Sequence, residues 1–211
     1  MITVLTVHYN TPDLLDRLLS GFRRFYDLPC WVVDGSDQAH FEQIKGYADK
    51  YKVSIFHFDY NIHHGPGMAY GIQNIETDQI MLLDDDLIIH NGGFIEDLQS
   101  KLRPDCYGIG AVYMGNRKDN DTEGINYLHP ACALINRNIA LQYPLPSLYQ
   151  SPMMAPMRYM HERGIMIIQD EQWVHDDFSG GPNENDDWYN GIHYVKHHWG
   201  GTLHRLGRGG V

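Results

Sequence analysis

Gln79-Ile80-Met81-Leu82-Leu83-Asp84-Asp85-Asp86-Leu87-Ile88-Ile89-His90 sets three consecutive carboxylates between two apolar runs. The run before them is short, apolar and bounded by polar residues, the pattern of a buried strand over 79–83 that ends at the acids. Adjacent like charges repel, and an apolar flank raises the cost of ionising them, so such a triplet persists where a cation compensates it. A divalent metal site is the functional reading. The alternative is an acidic cluster in a solvated turn at the end of a buried strand.

Upstream, the chain repeats one unit. Ile2 to Val7 reads as a first strand, and Thr11-Pro12 after it is helix-start chemistry, with Thr as N-cap and Pro in the first turn. Leu14, Leu15, Leu18, Leu19 and Phe22 then recur at three- and four-residue spacing, an apolar stripe of a helix lying on a sheet. Cys30 to Val33 is a second strand ending at Asp34-Gly35-Ser36-Asp37. A second amphipathic helix is expected through Phe41, Ile44, Ala48 and Tyr51, and a third strand over Val53 to Phe58. Gly65-Pro66-Gly67 opens a short helix to about Ile75, and the strand 79–83 follows.

This βαβαβαβ alternation predicts an α/β fold, a mainly parallel Rossmann-like central sheet flanked by helices. In such sheets ligands collect at the carboxyl ends of the strands. His8-Tyr9-Asn10, Asp34, Asn61 to Gly65 and Asp84 to Asp86 all fall there, so four loops converge on one rim. The second half is less regular, with a strand expected near Tyr107 to Met114 and an apolar stretch over Ala131 to Ile135. Met153, Met154, Met157 and Met160 read as core filler ahead of an adaptable groove.

The 211 residues, 43% of them apolar, suit one well-buried domain. A domain over 1–199 with a tail or linker over 200–211 is expected, and the Gly-Arg-Gly-Gly-Val211 end suits a linker to further domains. Sixteen basic against 27 acidic side chains, a net charge of -11, argue against a nucleic-acid partner. Gly164 to Val195 holds no Lys or Arg but includes Asp170, Glu171, Asp176, Asp177 and Asp187. Cys30, Cys106 and Cys132 have neither paired spacing nor an even count, which suits a reducing compartment, the cytoplasm. No stretch reads as a signal peptide or membrane span, so a soluble protein is expected.

Two histidine pairs join the acids as metal-ligand types: His63-His64 in the glycine-rich turn and His197-His198 near the end. A late imidazole beside carboxylates would suit Mn²⁺, or Mg²⁺. A hydrogen-bonded or exposed histidine is the alternative for each.

Val4-Leu5-Thr6-Val7-His8-Tyr9-Asn10-Thr11-Pro12, Trp31-Val32-Val33-Asp34-Gly35-Ser36-Asp37, the segment Asn61 to Gly71 with Gly65-Pro66-Gly67, and Ile80 to Asp86 resemble, in order and spacing, the family-two nucleotide-sugar glycosyltransferases of the GT-A fold. Asp170-Glu171-Gln172-Trp173 resembles the acidic pair that opens their acceptor-side helix, and His197-His198-Trp199-Gly200-Gly201-Thr202 their late histidine followed by glycines.

The resemblance implies a UDP-sugar donor and a glycan or glycoprotein acceptor. Thr6, His8, Tyr9, Asn10 and Asp34 would hold the donor's base, Asp34 accepting from the uracil imide N–H. His63, His64 and Gly65 would lie along the donor, with Asp84 and Asp85 beside it. Asp84 and Asp86, in the manner of that family's DxD motif, would ligate the metal with His197 and its neighbour His198. The resemblance further implies inversion, with Asp170 as general base, or equally Asp176 or Asp177.

Two departures stand out. Family members commonly carry Arg or Lys in the turn where this chain has His63 and His64, which leaves the diphosphate contacts open. The Arg that commonly follows the acidic pair is replaced by His175-Asp176-Asp177. A Rossmann dehydrogenase is disfavoured, because Gly65, Gly67 and Gly71 follow the third strand and are wrongly spaced. A metal-dependent phosphohydrolase acting on nucleotide sugars and a catalytically weak nucleotide-sugar-binding module are the competing functions.

Overall fold

The computed structural model describes residues 1–114, 124–147, 151–175 and 185–198. The first half runs β1 (Ile2–His8), α1 (Pro12–Arg23), β2 (Cys30–Asp34), α2 (Gln38–Ile44), α3 (Tyr47–Tyr51), β3 (Ser54–His57), α4 (His64–Asn74) and β4 (Gln79–Leu83). The second runs β5 (Leu87–Ile89), α5 (Phe94–Lys101), β6 (Gly108–Met114), β7 (Asn126–Asn136), α6 (Arg137–Ala140), α7 (Met154–Glu162), β8 (Ile168–Asp170), β9 (Val174–His175), β10 (Asn185–Tyr189) and β11 (His193–His198). The expected tail over 200–211 lies outside the described residues.

Among the described residues the strands form a seven-stranded sheet, β3-β2-β1-β4-β7-β6-β8, and a four-stranded sheet, β5-β11-β10-β9. β3, β2, β1 and β4 are parallel, as the alternation predicts. β7 runs antiparallel between β4 and β6, and β8 pairs parallel with β6. Two reversals cancel, so the carboxyl ends of β6 and β8 lie on the same rim as those of β1 to β4.

Alternation along the strands supplies both faces of the sheet. Val4, Met81 and Leu83 pack under α1 and α5 with Leu15, Leu18, Phe22, Phe94 and Leu98. Leu5, Ile80 and Leu82 pack against α4 and α7 with Met68, Ile72, Met154 and Met157. The methionine cluster is thus core. Two glycines let α4 lie directly on β1: a Cβ on Gly67 would meet Val7 Cγ1 at 2.7 Å, and one on Gly71 would meet Leu5 Cδ2 at 2.4 Å.

Three local expectations are corrected. The single helix through Phe41 to Tyr51 is two, α2 and α3, interrupted at Gly46, because glycine in a helix interior costs about 1 kcal/mol against alanine. Thr11 occupies the N-cap of α1 but makes no capping bond; its hydroxyl donates instead to Asp85 Oδ2 at 3.1 Å. Asp170-Glu171 opens no helix. Asp170 ends β8 in register with Gly110, the Glu171 N–H donates to the Gly110 carbonyl, and Gln172 at φ 62° turns the chain out of helical geometry.

Cys30, Cys106 and Cys132 are buried and free. Among the described residues no helix is long and apolar enough to cross a membrane.

Candidate active site

β4 delivers the acidic triplet to the rim, and a turn closed by the Leu87 N–H on the Asp84 carbonyl (3.2 Å) passes the chain into β5. The turn splays the three side chains. Asp85 turns back into the protein, where its Oδ2 lies 2.9 Å from His8 Nδ1 and accepts from Thr11. Asp84 and Asp86 face the opposite way, towards β11.

β11 pairs antiparallel with β5, setting His197 opposite Leu87. Its Nε2 lies 3.2 Å from Asp86 Oδ1 and 3.6 Å from Asp84 Oδ2. One ligand atom each from Asp84, Asp86 and His197 fall within 4.8 Å of one another. Two carboxylates and one imidazole make a donor set suited to Mn²⁺ or Mg²⁺. The adjacent His198 falls outside this group, because strand alternation turns it to the other face of β11, where Arg17 and Lys196 are the foremost of the charges acting on it.

The charges are poised unequally. Burial opposes ionisation of Asp84, but His64, whose Nε2 lies 3.2 Å from Asp84 Oδ1, and then His197 and His129 outweigh it and hold the carboxyl well below its usual range. Asp86 goes the other way, raised by burial and then by Asp84 and Asp85, against the pull of His197. Behind His197, with ring centroids 5.4 Å apart, His129 is buried and pushed down to about 3 by burial and then by the His197 charge.

A second polar cluster is built on the ends of β1, β2 and β3. Asp34 is fully buried. Its Oδ1 accepts from the Ser36 N–H at 3.2 Å and hydroxyl at 2.6 Å, and its Oδ2 lies 2.7 Å from His57 Nδ1. The His57 ring stacks on Phe41, centroids 3.8 Å apart. Asn10, at φ 55°, ties the first loop to the second: its backbone N–H donates to Ser36 Oγ, and its side chain bridges Asp37. Thr6 and His8 are buried, and Tyr9 is half-buried.

His63, at φ 62°, is the N-cap of α4, and its N–H donates to Asn61 Oδ1. His64 and Gly65 form the first turn of that helix. The helix thus presents its amino end, with His64, to Asp84.

Of the predicted residues, Asp84, Asp86 and His197 converge, with His64 against them and Asp85 and His8 behind. Asp170 is exposed on the rim at the end of β8, with Gln172 Nε2 donating to its Oδ2. Glu171 beside it is 1% exposed and points inward. Asp176 and Asp177 lie outside the described residues. Sequence reasoning missed His57, Ser36 and His129. His57 follows from parallel register, since it sits opposite Asp34; nothing local marks His129.

The sequence profile of glycosyl transferase family 2 matches residues 3–163. The chain belongs to that family. Among curated proteins none matches this sequence significantly. Solved structures share the GT-A fold. Glucosyl-3-phosphoglycerate synthase from Mycobacterium tuberculosis in complex with UDP superposes with a TM-score of 0.59 at 13% identity, over 84% of this chain and 73% of that one. The same enzyme with Mn²⁺, UDP and phosphoglyceric acid gives 0.60 at 14% identity, over 81% and 67%. A mannosyltransferase from Pyrobaculum calidifontis in complex with GDP-Man and Mn²⁺ gives 0.57 at 13% identity, over 74% of this chain but 53% of its own length. This family-2 chain therefore spans about half the length of the mannosyltransferase. In this family-2 chain the acidic cluster is a candidate metal site at the carboxyl rim of the central sheet.

Proposed function

We propose that this protein transfers a sugar from a UDP-sugar to a hydroxyl of a glycan or glycoprotein acceptor, with inversion. The observation that carries the reading is the convergence of Asp84, Asp86 and His197 on the rim that also carries Asp34, His57 and the amino end of α4.

Asp84, Asp86 and His197 would hold Mn²⁺ or Mg²⁺. When bound, the metal supplies a Lewis acid that neutralises charge on the departing nucleoside diphosphate. The amino end of α4 and His64 add positive potential for the diphosphate, standing where other members place Arg or Lys. For the base, Asp34 and His57 form one unit: Asp34 accepts from His57, and its remaining lone pairs serve the uracil imide N–H. Neighbours solved with UDP and with GDP-Man leave uridine resting on this acidic acceptor.

An inverting transfer needs a carboxylate to take the acceptor's proton. Asp170 has that role here, because it is open to solvent on the common rim while Glu171 is enclosed. Asp177 is the other candidate.

From its length and overall sequence we further infer kinship with the N-terminal glycosyltransferase domain of a large chlorella-virus protein. That likeness would place the enzyme in viral glycan synthesis in a host cytoplasm, joined to further domains.

The test is calorimetric titration of UDP and GDP with and without Mn²⁺, followed by UDP-sugar turnover with and without acceptor. Metal-dependent binding selective for UDP, and turnover that rises with acceptor, support the transferase. Turnover indifferent to acceptor makes it a phosphohydrolase, and binding without turnover a nucleotide-sugar-binding module.

A further inference from the structure

A second cluster of ligand-type side chains lies at the opposite end of the β5–β11 ladder. His90 follows β5, Asp187 sits on β10, and His193 opens β11. One ligand atom from each falls within 4.8 Å of the others, and all three residues are half-buried. His193 Nε2 is 2.7 Å from Asp187 Oδ1, and the His90 and His193 rings are 4.1 Å apart at 32°. His90 Nε2 is buried with no hydrogen-bond partner among the described residues.

The cluster is separate from the acidic triplet. His193 and His197 are four positions apart on one strand, about 13 Å at 3.3 Å per residue. Its donors differ too, two imidazoles and one carboxylate against one imidazole and two carboxylates. Imidazole-rich sets select zinc-like ions, whereas Mg²⁺ prefers oxygen. Two histidines with one carboxylate make a three-ligand zinc set that leaves a fourth position for water.

We propose that His90, Asp187 and His193 form a second metal site, for Zn²⁺ or a similar borderline divalent ion. The ion joins the end of β5 to both arms of the β10–β11 hairpin. Its role is to fasten the small sheet that carries His197 to the rim. Lys196 Nζ, 3.5 Å from Asp187 Oδ2, competes for the same carboxylate, but it uses the other oxygen and its side chain reaches solvent. Without a metal, the cluster is a tilted histidine pair with His193 in hydrogen-bond contact with Asp187.

The experiment is calorimetric titration of Zn²⁺ into the full chain in saturating Mg²⁺, with Co²⁺ absorption as a report of ligand type. One Zn²⁺ per chain is expected, raising the melting temperature, with a visible Co²⁺ spectrum of tetrahedral intensity. His90→Ala and Asp187→Asn should each weaken Zn²⁺ by at least about tenfold, while His197→Ala leaves the event intact. Asp187→Asn keeps the side-chain shape and decides the matter where His90→Ala does not fold. No Zn²⁺ uptake, uptake unchanged in both variants, or uptake lost only in His197→Ala would overturn the site.

Discussion

His8 Nδ1 meets Asp85 Oδ2 at 2.9 Å inside the protein, 77 positions apart in the chain. The middle carboxylate of the triplet is thereby an anchor, and its two neighbours face the other way, towards His197 of β11. Replacing Asp85 with Ala should cost roughly 1.5–3 kcal/mol, the range for hydrogen bonds to charged groups, because His8 and Thr11 lose a buried acceptor. Denaturant unfolding reads this directly; a change within error would remove Asp85 from the anchoring role.

Asp86→Asn takes one anionic ligand from the candidate metal set. UDP affinity at limiting Mn²⁺ should fall at least tenfold, about 1.4 kcal/mol. Calorimetry that finds wild-type affinity excludes Asp86 as a ligand.

Asp170→Asn separates binding from chemistry. Transfer should drop by about 10²–10⁴, the usual worth of a general base, with UDP affinity unchanged. Full activity would move the role to Asp177 or its neighbour.

Gly35 sits where the loop before α4 crosses the end of β2. A Cβ there would meet the Ile62 backbone N at 2.7 Å and the Tyr60 carbonyl at 3.0 Å. Backbone cannot yield as a side-chain tip does, so Gly35→Ala should cost about 1–3 kcal/mol and weaken nucleotide binding as the loop shifts. Unfolding and UDP titration on one preparation test both halves.

Asp97 ties α5 to the small sheet, accepting from Trp173 Nε1 at 2.6 Å and from Asn190, and pairing with Lys101. Burial pushes its pKa up, but the hydrogen bonds from Lys101, Trp173 and Asn190 outweigh this and hold it below the usual value. A depressed folded pKa contributes stability that is complete above the unfolded value, about 3.9, and is lost as pH falls through the folded one. Asp97→Asn should therefore cost roughly 1.5–3 kcal/mol at neutral pH, and the gap should close in acid. A gap independent of pH between 7 and 3 would refute the assignment.

The first four strands and their rim were legible because each strand is short, apolar and closed by turn chemistry within a few residues. The strand Gln79–Leu83 and the outer acids fell where the pattern put them. What escaped depends on distant pairing. β7 enters the sheet between β4 and β6, and no local signal tells Ala131 to Ile135 which strands it will join. Asp170-Glu171 looked like a helix start by resemblance, yet edge pairing to Gly110 took it as strand. His57 was hidden for the same reason, since only register sets it against Asp34.

The acidic turn and its imidazole belong to different times in the life of the chain. Asp84 and Asp86 leave the ribosome more than a hundred residues before His197, a delay of roughly 5–20 s at 5–20 residues per second. In that interval the proposed metal set would have its two carboxylates and lack its imidazole. Tight holding of a metal by the proposed set would then await the pairing of β11 with β5, and a ribosome stalled before residue 193 would display a nearly complete rim that lacks this imidazole.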